Sequence, residues 1–191
     1  MTARAHCFLG CAFFMAGIGI HAPNSDGLYY ADVVKAAIEV RERLDGVGLK
    51  SFCKTTGGKG LHVVTPLLDG DEAVPWPTAK DFAHIVCAQM AADSPTRYLD
   101  VMTKSQRTGR IFLDYLRNDR MATAVAPLSP RARPGATISM PLEWNAVKKG
   151  LDPRRFTVRT APALIAKSKA WRDYDKGVRP LLPVLKKLAL P

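Results

Sequence analysis

The sequence predicts a mixed α/β (α+β) domain built on a mixed sheet. Segments typical of strands alternate with segments typical of helices, and no internal repeat is visible. A length of 191 residues with 47% hydrophobic content is enough to bury one core. A charged fraction of 24% is ordinary for a globular chain and argues against wholesale disorder.

An apolar N-terminal run comes first. Residues 7–20, "CFLGCAFFMAGIGI", carry no charge. The run is shorter than the roughly 20 residues that a membrane-spanning helix needs, and "HAPNSDG" after it is a poor signal-peptide cleavage site. We therefore expect a buried strand, no membrane association and a cytoplasmic protein.

The sequence of the middle of the chain predicts a helix, then a β-hairpin, then a second helix. Helical spacing of apolar residues over 28–48 predicts a helix that Gly46 and Gly48 can end. Residues 50–55 and 61–67 read as two strands around a glycine turn. A second helix is predicted over 77–93, with Thr78 and Asp81 at capping-box spacing.

The second half predicts shorter elements. A strand is expected within residues 107–118, and an extended segment over 123–135 ends in prolines. A short helix over 141–150, a strand-like piece at 156–160 and two basic helical stretches, 163–173 and 178–190, follow. We divide the chain into a divergent segment (1–25), a main domain (26–160) and a basic helical tail (161–191).

The charge of the chain is unusual. Its 28 Lys+Arg against 17 Asp+Glu give a net charge of +11, and these residues are spread over the chain. Such a field attracts polyanions, so nucleic acid or nucleotides are the favoured partners, and a solvated basic surface is the alternative. The four cysteines (Cys7, Cys11, Cys53 and Cys87) show no CxxC spacing and read as reduced thiols.

The stretch "KTTGGKGLHVV" joins glycines, hydroxyls and cations to a strand. It is not a nucleotide-binding P-loop, because Leu61 follows the last glycine and a strand follows instead of a helix. Glycines let backbone N–H groups approach an anion, and Thr56 and Lys59 could contact phosphate oxygens. On a strand, His62 would face the same side as Gly60. A plain hairpin and a phosphate pocket both remain open.

Two further features could carry chemistry. Asp114 lies among apolar residues, where a carboxylate needs an ion pair, such as one with Arg110, or a metal ion. Arg131 and Arg133 lie two apart in an extended, proline-bounded segment, so both guanidinium groups project to one side. Two parallel guanidiniums suit a triphosphate or two successive phosphates, and beside Lys59 and Arg107 they would form a cationic pocket.

Four motifs in one order resemble the polymerase domain of bacterial ligase D, a primase-like nucleotidyltransferase of non-homologous end joining. They are "KSFCKTTGGKGLHVV" (50–64), "GRIFLDYLRN" (109–118), "TAVAPLSPRARPGATISMPLEW" (123–144) and "LDPRRFTVRT" (151–160). The resemblance extends from about residue 26 to residue 160. Thr56 stands where a serine is usual in the family.

The resemblance implies a primase-like catalytic core that adds ribonucleotides to DNA ends or gaps with manganese, or magnesium. It places Thr56, Lys59 and His62 in a triphosphate and sugar pocket. It makes Asp114 a catalytic, metal-binding carboxylate. The phosphate-contacting or pocket-lining arginines would be Arg107, Arg117, Arg131 and Arg133. It also implies a Ku-type partner, ligase and nuclease modules, and a nucleoid-associated location.

The chain departs from the family at a D-x-D pair of metal ligands. His21 and Pro23 stand at the corresponding positions by sequence, with Asp26 nearby. Two-metal phosphoryl transfer needs carboxylates that bridge the ions, and proline offers no ligand. We therefore expect a truncated relative whose nucleotidyl transfer is impaired. The alternative is an inactive nucleotide- or DNA-binding fragment.

Overall fold

The computed structural model describes residues 15–22, 30–69 and 73–188. Its strands are β1 (Met15–His21), β2 (Phe52–Thr55), β3 (Gly60–Pro66), β4 (Tyr98–Leu99), β5 (Ile111–Asp114) and β6 (Pro141–Leu142). Its α-helices are α1 (Tyr30–Gly46), α2 (Trp76–Asp93), α3 (Ala161–Lys167) and α4 (Leu182–Leu188). Short 3₁₀ turns lie at Lys104–Arg107, Trp144–Ala146, Pro153–Arg155 and Asp175–Gly177.

The six strands form one mixed sheet in the order β4-β5-β1-β3-β2-β6. β1 lies inside it and pairs antiparallel with both β3 and β5. The β2–β3 and β2–β6 pairs are also antiparallel, whereas β4 and β5 are parallel. The predicted mixed α/β class is confirmed.

The two faces of the sheet have different roles, because successive strand residues point to opposite sides. Ile18 and Ile20 of β1 and Leu61 of β3 belong to the main core, which also contains buried residues of α1 and α2. Gly17, Gly19 and His21 alternate with these isoleucines and so lie on the opposite face. One face of the sheet is thus covered by helices, and the other is available for a site.

The C-terminal part of the chain packs back onto the sheet. Trp171 and Tyr174 stack on each other and form a small buried cluster with Val64. The Trp171 indole N–H donates to the Cys53 carbonyl at 2.8 Å. Residues of the predicted basic tail therefore contribute buried apolar surface.

Several sequence-based element predictions are confirmed. The apolar run contains a strand, β1, and the predicted helix over 28–48, the hairpin strands and the second helix match α1, β2, β3 and α2. Cys53 and Cys87 are free and buried, whereas Cys7 and Cys11 lie outside the described residues. Among the helices that the structure describes, none is both long and apolar enough to cross a bilayer.

The predicted cap of α2 is wrong. The helix begins at Trp76 with Pro75 at its N-cap, and no side-chain hydrogen bond caps it. Pro77 lies in the first turn, where its missing N–H leaves no hydrogen bond unmade. Thr78 is therefore already inside the helix.

The shorter elements after residue 140 also differ from expectation. Residues 141–150 start as strand β6 and continue as a 3₁₀ turn. At 156–160 the only β pairing is a single bridge between Thr157 and Thr137. The Thr160 hydroxyl accepts the Thr157 N–H at 3.0 Å and donates to the Arg155 carbonyl at 2.6 Å, and such side-chain bonds favour a turn over a strand.

Asn118 completes the edge of β1 beyond the end of β5. Its Oδ1 accepts the Gly17 N–H at 2.6 Å, and its Nδ2 donates to the Gly17 carbonyl at 2.7 Å. Nδ2 also donates to the Tyr115 carbonyl at 2.7 Å. One buried amide side chain therefore supplies the hydrogen bonds that a longer β5 would have made.

We predict that Asn118→Leu lowers the free energy of unfolding by about 1–3 kcal/mol, because it leaves the partly buried N–H and carbonyl of Gly17 without their partner. Urea unfolding followed by circular dichroism measures the change. Asn145→Leu is the matched control, since Asn145 is exposed, and it should shift stability by less than about 0.5 kcal/mol. Equal stabilities for the two variants would contradict the role given to Asn118.

Candidate functional site

A tight glycine turn connects β2 to β3. The Thr56 hydroxyl donates to the Gly60 carbonyl at 3.1 Å and accepts the Gly60 N–H at 3.3 Å. Gly57 has a φ of +65°, in the left-handed region that glycine adopts without strain. The predicted hairpin is therefore present, and Thr56 closes it with its own side chain.

The segment that carries Arg131 and Arg133 packs directly on this turn. A Cβ atom at Gly57 would lie 2.5 Å from Arg131 Cγ, and one at Gly58 would lie 3.0 Å from Arg133 Nη1. The Thr137 hydroxyl donates to the Gly57 carbonyl at 2.7 Å and fixes the contact. Glycine is needed at position 57, where the Arg131 stem occupies the space of a side chain, whereas a side chain at position 58 would crowd the Arg133 guanidinium.

These elements enclose an open cavity of about 440 Å³ at the non-helical face of the sheet. Six of the residues predicted to bind a nucleotide line it: Thr56, Lys59, His62, Arg117, Arg131 and Arg133. Other lining residues include His21, Gly60 and residues 123–125. The structure thus brings four cationic side chains together from three separate stretches of sequence.

Arg107 is not among the residues that line this cavity. Its Nη2 donates to the Met102 carbonyl at 2.6 Å, and its guanidinium carbon lies 4.0 Å from the centre of the Phe112 ring. Phe112 in turn stacks with His21, with ring centres 5.9 Å apart. A direct contact of Arg107 with phosphate therefore stays a prediction.

A row of residues crosses four strands on the cavity side of the sheet. Gly19 of β1 pairs with Asp114 of β5 on one side and with His62 of β3 on the other. His62 pairs with Lys54 of β2. Paired residues share a face, so Asp114, His62 and Lys54 all point toward the cavity layer, and Gly19 leaves a gap between them.

Asp114 is buried and already paired. Its Oδ2 accepts from Arg117 Nε at 3.2 Å and lies 3.4 Å from His21 Nε2, and its Oδ1 accepts the Leu116 N–H at 3.0 Å. Burial opposes ionisation, but the bonds and charges of His21 and Arg117 outweigh it and hold the pKa of Asp114 below its usual range.

Arg110 is not the partner of Asp114. Its guanidinium donates to the carbonyls of Gln106 and Pro95 at 2.7–3.3 Å. Arg110 precedes β5, so the strand alternation that would place it on the face of Asp114 does not extend to it. Arg117, one turn after the strand, takes the place that the sequence suggested for Arg110.

Lys54 joins the sheet to the rim of the cavity. Its Nζ lies 3.0 Å from His62 Nδ1 and donates to the Val125 carbonyl at 2.7 Å and to the Ser139 hydroxyl at 3.1 Å. Burial, with a smaller contribution from the charge of Arg131, lowers the pKa of Lys54 to about 8. An ammonium group can only donate, so neutral His62 accepts at Nδ1 and carries its proton on Nε2.

His62 is held in this neutral form. Burial, followed by the charges of Lys54 and His21, lowers the pKa of His62 well below its usual range. The cavity therefore presents a neutral imidazole beside permanent cations.

The donor set does not fit a pair of divalent metal ions. The described residues contain no group of three or more His, Cys, Asp or Glu side chains that could hold one. Asp114 is the single carboxylate of the row, and both its oxygens already accept hydrogen bonds. The β1 positions that flank it are Gly19 and His21, and Pro23 and Asp26 lie outside the described residues.

A second, more apolar cavity of about 610 Å³ continues from the first over the β1 glycines. Gly17 and Gly19 line it together with Trp76 and Trp171, and it shares His62 and Arg117 with the cationic cavity. A polar and an apolar compartment therefore meet at the row that contains His62.

Sequence reasoning missed Lys54 and Gly19. A signal for Lys54 was available, because a lysine in the middle of a buried strand needs several acceptors. No local signal identifies Gly19, since its role comes from pairing with β3 and β5.

The fold and the cavity define a two-layer α/β domain with a cationic site on the face opposite its helices. The chain belongs to the LigD primase-polymerase domain family, whose model matches residues 23–171. The predicted family is confirmed.

Named relatives agree with this assignment. The multifunctional non-homologous end joining protein LigD of Pseudomonas aeruginosa is 37% identical over 134 residues, 69% of this chain. The corresponding DNA repair protein of Mycobacterium tuberculosis strain H37Rv is 36% identical over 119 residues, 62% of this chain. The chain spans only 16% and 15% of these relatives' lengths.

A solved structure supports the fold. The polymerase domain of M. tuberculosis ligase D in complex with DNA superimposes with a TM-score of 0.77 at 28% identity. The match covers 85% of this chain and 55% of that chain.

We predict that native stability rises relative to Lys54→Met as the pH increases from 8 to 10. In this window the unfolded chain keeps a proton that folded Lys54 has released, so a higher pH favours the folded state. The expected relative gain is about 2 kcal/mol. Urea unfolding at several pH values measures it.

Lys148→Met serves as the control, because Lys148 is exposed. The free energy of unfolding of this variant should depend on pH in the same way as that of the native chain. Parallel curves for native protein and Lys54→Met would show that the buried lysine does not release its proton in this range.

Proposed function

We propose that this chain binds a nucleoside triphosphate in the cationic cavity and serves in nucleotide addition to DNA ends during non-homologous end joining. The observation that carries the proposal is the convergence of Thr56, Lys59, Arg131 and Arg133 on one cavity. A triphosphate carries several negative charges, and guanidinium groups bind phosphate oxygens in a bidentate manner. Membership of the LigD family supports the reaction class.

Each cavity element has a distinct part in this proposal. The packing of Arg131 and Arg133 against the glycine turn places both side chains on the cavity that Lys59 also lines. Neutral His62 offers its Nε2–H as a hydrogen-bond donor. Asp114 holds Arg117 at the cavity wall through the Nε contact. The adjoining apolar cavity has room for a nucleoside.

DNA is the second proposed partner. The matched solved domain is in complex with DNA, and the net charge of +11 favours a polyanion. Ribonucleotide preference, a Ku-type partner, ligase and nuclease modules and a nucleoid-associated location are proposed by resemblance. Relatives named as multifunctional end joining proteins support this setting.

We further propose that catalysis is impaired. The family is one of metal-dependent nucleotidyltransferases, for which manganese or magnesium is expected. The described donor set does not fit two ions, since neither Gly19 nor His21, the β1 residues beside Asp114, carries a carboxylate. The alternative function, an inactive nucleotide- or DNA-binding fragment, is favoured by the same observation.

We predict that Arg131→Gln and Arg133→Gln each weaken ATP binding roughly thirtyfold, because each removes charge-assisted hydrogen bonds worth about 2 kcal/mol. Isothermal titration calorimetry measures the affinities. Arg172→Gln is the matched control, since Arg172 is exposed and lies outside the cavity lining, and it should bind as the native chain does. Similar affinities for all four proteins would argue against this cavity.

A separate prediction concerns the reaction. With manganese, nucleotide addition to a gapped, 5′-phosphorylated duplex should be slow for the native chain and lost in Asp114→Asn. The double variant Gly19→Asp/His21→Asp should raise the rate by tenfold or more, on the order of the effects of catalytic carboxylates. Incorporated label in a gel assay gives the rates.

If the native chain adds nucleotides as fast as the double variant does, the proposed impairment of catalysis is overturned. No addition by any folded variant would leave the binding function as the better description of the chain.

A further inference from the structure

The cavity neutralises phosphate charge with its own side chains. Lys59, Arg117, Arg131 and Arg133 line it. Lys54 lies behind His62, and the charge of Arg131 contributes to its lowered pKa, so these two groups act on the same region. Within the described ranges, the carboxylate that faces these cations is Asp114, which already contacts Arg117 and His21.

A site that recruits a divalent ion with its substrate has the opposite charge pattern. Clustered carboxylates repel a bare triphosphate, and the metal ion bridges the two sets of oxygens. In this chain Gly19 supplies no side chain, and His21 supplies a nitrogen that faces Asp114. Among the residues that the structure describes, a triphosphate therefore meets these cations without an intervening cluster of carboxylates.

We infer that the cavity binds the triphosphate through its own cations and needs no divalent metal ion to do so. The inference rests on the proposed function and specifies its binding step. A metal ion in solution neutralises part of the ligand charge and gains no carboxylate bridge to the protein. Binding is therefore as tight in a chelator as in manganese, or tighter.

The sheet also shows how metal dependence can be introduced. A Cβ atom at Gly19 would lie 3.2 Å from Asp114 Cβ and 3.4 Å from His62 Cδ2, and 2.8 Å from His21 Nε2. The last contact disappears when His21 is replaced. The double variant Gly19→Asp/His21→Asp thus places two new carboxylates beside Asp114 on the cavity face of β1.

The test is titration calorimetry of the native chain with inorganic tripolyphosphate and with ATP, each in EDTA and in excess manganese. We expect dissociation constants in EDTA that are equal to, or lower than, those in manganese. The double variant should reverse this order, with binding in manganese at least tenfold tighter than in EDTA. Circular dichroism of each protein checks that it is folded.

The outcomes separate the inference from the proposed function. Native binding that appears only with manganese overturns the inference and leaves triphosphate binding in place. No binding of either ligand under any condition overturns both. If the double variant does not fold, His21→Asp replaces it, because this change adds one carboxylate without filling the space beside Gly19. Metal-insensitive binding by the native chain supports the inference in either case.

Discussion

The pairing register of β1 is the constraint on which the rest of the structure depends. β1 lies between β5 and β3, and this register sends Ile18 and Ile20 into the helical core while Gly19 and His21 face the cavity. A shift by one residue would exchange the two sets, burying a histidine under the helices and exposing isoleucines. The core and the site are therefore fixed by the same hydrogen bonds.

A second level of organisation comes from close backbone approach at the glycine turn. The turn is formed by residues that are close in sequence, whereas the segment bearing Arg131 and Arg133 lies more than 70 residues further along the chain. This segment packs against the turn at its glycines, which have no side chains. The hydrogen bond from Thr137 to Gly57 ties the two together. Cation placement thus depends on tertiary packing, whereas the turn itself depends on local sequence.

This difference explains what the sequence could predict. The helices, the hairpin strands and the glycine turn follow from periodicity and turn chemistry, which act over a few residues. The partner of Asp114 could not be predicted in the same way, because Arg110 was assigned to a strand that begins only at Ile111. Gly19 gains its role through pairing with β3 and β5, and Lys54 through contacts with Val125 and Ser139, which lie more than 70 residues away. Arg107 contacts the Met102 carbonyl and the Phe112 ring.

The two-sided sheet also separates the β1 residues that face the cavity from those that build the core. Residues 19 and 21 of β1 point away from the core, so a glycine or a histidine there removes no apolar contact among Ile18, Ile20 and the helices. The cations that line the cavity lie on other elements, the turn and the segment around Arg131. Residues 19 and 21 of β1 and the cations on the turn are thus independent features of one scaffold, because the former can be replaced without a loss of core contacts.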